Sequence, residues 1–217
     1  MIKITLPDGS VKEFASGVTP MEVAKSISEG FARNVISASF NGTTVETTTP
    51  LTTDGSLILY TWNDEDGKKA FWHSTSHVMA QVLEQMYPGI KLTLGPAIAN
   101  GFYYDVDFEE HKITEADFKK IEDRVLEISR GKHEFKLRPV SKADALELYK
   151  DNVYKTEMIT NLEDGTITFC DHDTFTDLCR GGHIPNTGII KAMKIMSVAG
   201  AYWRGDEKNK QLTRVYG

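Results

Sequence analysis

Apolar and polar positions alternate along MIKITL at the start of the chain, the period-two pattern of a half-buried strand. Pro7-Asp8-Gly9-Ser10 supplies turn chemistry, and Val11 to Phe14 can return as the second strand of a hairpin. The period then lengthens. Thr19 as cap, Pro20 at the first helical position and Glu22 three residues past the cap form a capping-box signature. Val23, Ala24 and Ile27 supply the buried stripe of that helix, and Gly30 is expected to stop it. Residues 36–40 and 43–45, joined by Asn41-Gly42, read as a second hairpin, and Leu57 to Trp62 as a last strand after Asp54-Gly55. Two strands, a helix and further strands predict a small sheet crossed by one helix, an α+β unit.

Residues 63–69 carry almost no apolar content, so a linker or solvated turn is expected there, dividing the chain into segments 1–62 and 63–217. Beyond it, Val78, Val82 and Met86 are spaced four apart and predict a helix over His73 to Tyr87. Asn100 to Asp105 reads as a turn leading into an aromatic strand, in which Tyr103 and Tyr104 point to opposite faces. A second helix, capped by Thr114 and running to Arg130, puts Phe118, Ile121, Val125 and Ile128 on one side. Ser141 to Lys150 predicts a shorter helix. Lys155 to Thr160 and Thr166 to Cys170, around Asp164-Gly165, predict a hairpin.

Composition narrows the classes. At 217 residues and 40% hydrophobic, the chain is long and apolar enough for one large domain or two small ones. No stretch approaches the ~18 apolar residues of a membrane span, and the start has neither the basic flank nor the apolar block of a signal peptide. A soluble protein of the cytoplasm is therefore expected. Cys170 and Cys179 are too few for a disulfide scaffold and fit a reducing compartment. A formal charge of -6 argues mildly against non-specific nucleic-acid binding. The positive residues nevertheless concentrate late, with Lys191, Lys194, Arg204, Lys208, Lys210 and Arg214 against Asp206 and Glu207, so a local basic face is expected there.

Two short clusters carry candidate chemistry. His73 and His77 are four apart on a predicted helix, so both imidazoles project from one face and can share a ligand, a water or a substrate. Alone, the pair fits two partly exposed surface histidines better than it fits a site. Ser74 stands where the zinc peptidase motif needs its glutamate, which removes that reading. Asp177-Leu178-Cys179-Arg180-Gly181-Gly182-His183 adds a thiol and an imidazole four apart. Together the four groups would make a tetrahedral zinc shell or a metal-free polar pocket that positions a hydrolytic water.

HSTSH, GFYYDVD, DLCRGGH, AGAYWRGD and the early ITLPDGS, in this order and spacing, resemble the amino-terminal half of bacterial threonyl-tRNA synthetases over essentially the whole chain. The resemblance implies a TGS domain, a ubiquitin-like β-grasp module, over residues 1–62. It implies a larger α+β editing domain over 63–217, with an antiparallel sheet and packed helices, which includes the second additional domain shared with alanyl-tRNA synthetases. The aminoacylation core, with its ATP site, its catalytic zinc and its homodimer contacts, is expected to lie outside this chain. The implied activity is hydrolysis of seryl-tRNA(Thr), with tRNA(Thr) charged with serine and the rest of the synthetase as partners.

Carried over by motif, the implied catalytic residues are His73, Lys155, His77, Cys179 and His183, with Asp177 and Tyr104 binding substrate. Lys155 and His73 are expected to orient or deprotonate the water and hold the ribose. Asp177 is expected to pair with the substrate ammonium, His183 and Cys179 to line the side-chain end, and Tyr104 to form a wall. Alanyl editing domains use the same histidine and cysteine pattern for zinc, whereas the threonyl resemblance implies a site that works without it. Two other readings fit parts of the sequence: a non-catalytic module that binds tRNA or protein, and a freestanding trans-editing deacylase.

Overall fold

The computed structural model describes residues 1–217, which divide into two compact units: Met1–Phe71 with Gly181–Asn186, and Trp72–Arg180 with Thr187–Gly217.

In the first unit, β1 (Ile2–Thr5) and β2 (Val11–Phe14) form the expected hairpin, with Ile4 opposite Lys12. Helix α1 (Pro20–Ile27) starts where the capping box predicts. Thr19 Oγ1 accepts from the Glu22 N–H at 3.2 Å, and the Glu22 carboxylate accepts from the Thr19 N–H at 2.8 Å. It ends earlier than expected. Ser28 turns extended at φ -167°, and its hydroxyl caps a further turn, α2 (Glu29–Ala32), so Gly30 lies inside a helical turn and does not stop α1. Serine wins here because its side chain satisfies an orphan N–H of the next turn.

Strands β3 (Ser37–Phe40), β4 (Thr43–Val45) and β5 (Gly55–Tyr60) complete a five-stranded sheet in the order β2-β1-β5-β3-β4. The central pair, β1 and β5, is parallel and the rest antiparallel, the layout expected of a β-grasp sheet. Ile2, Ile4, Val23, Ala38, Leu51 and Leu57 form its core. Ile4 and Leu57 have no exposed surface, and each such side chain contributes roughly 1.5–3 kcal/mol of hydrophobic burial.

Residues 63–69 are not a linker. Helix α3 (Glu65–Met86) begins two turns before His73, because Asp64 accepts from both the N–H and the hydroxyl of Thr61, and Glu65 pairs with Lys69 one turn on at 3.0 Å. Acidic residues at a helix start complement the orphan N–H groups there, so a polar run can open a helix without apolar content. The boundary between the two units falls within α3, between Phe71 and Trp72.

The second unit holds two antiparallel sheets. One comprises β6 (Lys91–Leu92), β7 (Ala97–Ile98) and β8 (Gly101–Asp107) with β12 (Ser197–Tyr202) and β13 (Gln211–Tyr216), in the order β12-β13-β8-β6, with β7 pairing β8. The other orders β11 (Phe175–Leu178), β10 (Thr168–His172) and β9 (Lys136–Pro139). Helix α4 (Glu115–Arg130) buries Ile121, Val125 and Ile128 as its period predicts, and α5 (Lys142–Leu148) matches the shorter predicted helix.

The expected strand over residues 155–160 is instead helix α6 (Val153–Thr160). Asn152 caps it, its side-chain oxygen accepting from the N–H groups of Tyr154 and Lys155 at 3.1 Å each. Strand β10 therefore turns back onto β11, with Cys170 opposite Asp177. No helix is long and apolar enough to cross a membrane.

The late basic residues are largely neutralised. Arg214 holds buried Asp105 in a fork at 2.7 and 2.8 Å, Arg204 meets Glu157 at 2.6 Å, Lys210 meets Asp107 at 2.7 Å and Lys194 meets Glu122 at 3.0 Å. Four of the six cations counted on for a basic face are spent on local carboxylates, which linear charge counting does not reveal.

Candidate functional site

Within the second unit, three of the seven carried-over residues, Lys155, Tyr104 and His77, converge on a fourth, Asp177, together with the Leu178 N–H. That aspartate lies on β11, is 3% exposed and uses both oxygens. Oδ1 accepts from the Lys155 ammonium at 2.5 Å and from the Leu178 N–H at 2.8 Å. Oδ2 accepts from the Tyr104 hydroxyl at 2.6 Å and lies 3.3 Å from His77 Nδ1. Lys155, on α6, is 1% exposed. A buried ammonium loses several kcal/mol of hydration, and the paired carboxylate offsets part of that loss.

Tyr104 comes from β8. Its ring lies against Gly95, where a Cβ would sit 2.2 Å from Tyr104 Cδ2. Burial first, and Asp177 second, hold its phenol well above the ordinary tyrosine range, so it stays a protonated donor. Tyr103 points to the other face, beneath Arg214 and beside Tyr216, as the strand period predicts. Gly95→Ala should therefore displace the Tyr104 ring and lower thermal stability by several degrees, measured by calorimetry; an unchanged melting temperature would refute the close-approach argument.

His73 and His77 stack edge-on, with ring centroids 4.7 Å apart, one helical turn apart on α3. His77 is fully buried, and desolvation pushes its imidazole below the usual histidine range, so it is neutral at pH 7. His73 is half-buried. Its Nδ1 faces the Gly95 carbonyl at 3.4 Å, which requires a proton on Nδ1 and leaves Nε2 as the acceptor toward the Cys179 thiol at 3.1 Å. Ser76 braces this corner by bonding the carbonyls of His73 and Gly95 at 2.7 and 2.8 Å.

His73, His77 and Cys179 present ligand-type atoms within 4.8 Å of one another. Two imidazoles and a thiol at that spacing fit the donor preferences of zinc, so the residues are compatible with a metal as well as with a metal-free polar site.

A groove of about 420 Å³ is lined by Asp177 together with Glu84, Lys91, Tyr149, Asn152 and Thr176. Desolvation, then the charge of Asp177, raises the Glu84 carboxyl above its ordinary range, and Lys155 opposes that shift. Tyr149 is likewise pushed up by burial and spans 5.9 Å from its ring to the Lys155 ammonium. The sequence expectations assign no chemical role to Ser76, Glu84 or Tyr149. Glu84 had a usable signal, since it follows His77 by seven residues on the same helix face.

His183 belongs to the first unit. Gly181 and Gly182, at φ 99° and 88°, make the left-handed turn that precedes it. Glu46, just past β4, accepts from the backbone N–H of Gly182 and of His183 and from the His183 ring. Nothing in the spacing of the sequence points to Glu46.

Comparison with known families gives two matches. Residues 2–61 match the TGS domain, and residues 166–216 match the threonyl and alanyl tRNA synthetase second additional domain. The chain is 88% identical, over all 217 residues, to a threonine–tRNA ligase of Flavobacterium johnsoniae, and 85% identical to that of Flavobacterium psychrophilum. A third relative, from Cytophaga hutchinsonii, is 53% identical over 219 aligned residues. This chain matches the amino-terminal region of bacterial threonyl-tRNA synthetases. It spans 34% of the length of these relatives. Asp177, Cys179 and His183 fall inside the second matched segment and Glu46 inside the first, whereas His73, His77, Tyr104 and Lys155 lie between them.

Proposed function

We propose that this chain is the post-transfer editing region of a threonyl-tRNA synthetase and hydrolyses seryl-tRNA(Thr). The observation that carries the reading is the buried Lys155–Asp177–Tyr104 cluster in the same unit as the half-buried His73 and its partner, the buried Cys179, a concentration of charged and hydrogen-bonded groups of the kind found at functional sites. The need for a second site is physical. Serine lacks one methyl group of threonine, worth only ~1–3 kcal/mol in a binding pocket, so a pocket that accepts serine and clashes with the methyl supplies the missing discrimination.

In this reading the oxygen of a water attacks the ester carbonyl carbon, and its proton passes to His73 Nε2, the ring nitrogen that carries none. The bond from that carbon to the ribose oxygen breaks, and the proton returns to the ribose. Lys155, its ammonium held by Asp177, orients the water and stabilises the carbonyl oxygen as it gains negative charge. Tyr104 walls the pocket while fixing Asp177. His183 and Cys179 bound the side-chain end. Because both oxygens of Asp177 are already engaged, pairing with the substrate ammonium requires it to exchange one of those bonds.

Ester hydrolysis needs no ATP. Zinc, if bound, would be held by His73, His77, Cys179 and His183 and would supply Lewis-acid polarisation of water; we propose a metal-free reaction. The partners are tRNA(Thr) charged with serine and the remainder of a homodimeric synthetase in the cytoplasm.

The test is deacylation of seryl-tRNA(Thr) and threonyl-tRNA(Thr) side by side, with and without a chelator. Fast loss of serine, slow loss of threonine and indifference to chelation are expected. Equal rates on the two esters would refute the sieve, absence of both would favour a binding module, and loss of activity on chelation would refute the metal-free step.

A further inference from the structure

Asn152 stands at the junction of α5 and α6 and commits the two ends of its carboxamide to different elements. Its oxygen accepts from the N–H groups of Tyr154 and Lys155 at 3.1 Å each, and its nitrogen donates to the Leu92 carbonyl of β6 at 2.8 Å. The partners fix which end is which, because a flipped amide would set its NH2 group against two N–H donors and its oxygen against a carbonyl. The same junction is held from another side. The Asn152 N–H donates to the Tyr149 carbonyl at 2.9 Å, and the Tyr149 hydroxyl donates at 3.1 Å to the carbonyl of Thr176, the residue before Asp177. Leu92 pairs with Val106, two residues along β8 from Tyr104. One carboxamide therefore joins the helix that carries Lys155 to the sheet that carries Tyr104, and both of those side chains end on Asp177.

We propose that Asn152 is a positioning residue for the hydrolytic site: by tying the start of α6 to β6, it sets where the Lys155 ammonium stands relative to Tyr104 and Asp177. The inference rests on the reading of Lys155 as the group that orients the water and stabilises the carbonyl oxygen. Helix α6 has eight residues and no acidic residue in its first turn, so its start depends on the side-chain cap. Capping alone does not call for an amide. Aspartate and serine cap helices as well as asparagine does, but aspartate has no proton to donate and serine has a single short hydroxyl. Lys155 is the third residue of α6 and its own N–H is bonded to Asn152, so a shift of the helix start moves the Lys155 backbone directly. A displacement of about 1 Å at a catalytic group can cost on the order of 10²-fold in rate.

The experiment uses the 217-residue chain with 15N-labelled lysine and asparagine side chains and records proton exchange beside single-turnover hydrolysis of seryl-tRNA(Thr). Lys155 is the only buried lysine, so it is expected to give the one slowly exchanging ammonium signal, and the Asn152 carboxamide is expected to hold a proton protected by Leu92. Asn152→Asp and Asn152→Ser each keep a capping oxygen and break the tether to Leu92, and the serine variant does so without adding charge. Both should keep the parent helix content by circular dichroism, lose the slow ammonium signal and slow hydrolysis roughly 10–100-fold, with little change in the concentration at half-maximal rate. Either variant with the parent ammonium signal or the parent rate would overturn the proposal. So would a parent whose Asn152 carboxamide protons exchange as fast as those of an exposed asparagine, a result that needs no variant to fold. If the ammonium signal responds in both variants while the parent chain hydrolyses nothing, the tether stands and the editing reading falls, so the two failures are distinguishable.

Discussion

Replacing Lys155 with methionine will abolish hydrolysis of seryl-tRNA(Thr) and destabilise the second unit by about 3–5 kcal/mol, the cost of leaving a buried charge without its partner. Methionine preserves most of the volume and flexibility of lysine, so the effect reports charge and not a cavity. Asp177 would keep the Tyr104 hydroxyl and the Leu178 N–H, but neither donor neutralises it. Urea unfolding should register the loss as a lower midpoint. The companion variant separates structure from chemistry: Lys155→Met combined with Asp177→Asn removes both charges and should recover much of the stability while hydrolysis stays absent. A Lys155→Met variant that unfolds at the parent midpoint would contradict the ion pair, and one that hydrolyses at the parent rate would contradict the role.

His73→Ala is the opposite case. Hydrolysis should fall by roughly 10²–10⁴, the range for loss of a positioned general base, while the unfolding midpoint moves by less than about 1 kcal/mol, as expected of a half-buried side chain outside the apolar core. Its long contact to the Gly95 carbonyl, 3.4 Å, holds the ring without contributing much to stability. Imidazole added to the assay should restore part of the rate by filling the space left by the ring. A variant with parent activity would remove His73 from the mechanism and leave Lys155 as the candidate base.

Much of the architecture was legible because it rests on local rules. The capping box at Thr19, the hairpin turn at Asn41-Gly42 and the four-residue period of α4 are satisfied by residues close in sequence, and each appears where the pattern puts it. The failures were competitions between local signals. Ser28 outcompeted Gly30 for the end of α1, and the Asn152 cap turned residues 153–160 into a helix despite a turn signal at Asp164-Gly165. Charge was the least legible property. Lys194, Arg204, Lys210 and Arg214 read as a cationic run, yet each meets a carboxylate brought from α4, α6 or β8.

The sequence by itself determined many of the element types, the identity of the reactive groups and the family match, since these depend on residue chemistry and on spacings of a few positions. Only the tertiary structure decided what those groups can do. Helical spacing alone brings His73 beside His77, but Asp177 meets Tyr104 from 73 residues away and Lys155 from 22, and Glu46 reaches His183 across 137. Hydrogen bonding and desolvation act between neighbours in space, so the tautomer of His73, the neutrality of His77 and the buried ion pair of Lys155 have no counterpart in the linear chain.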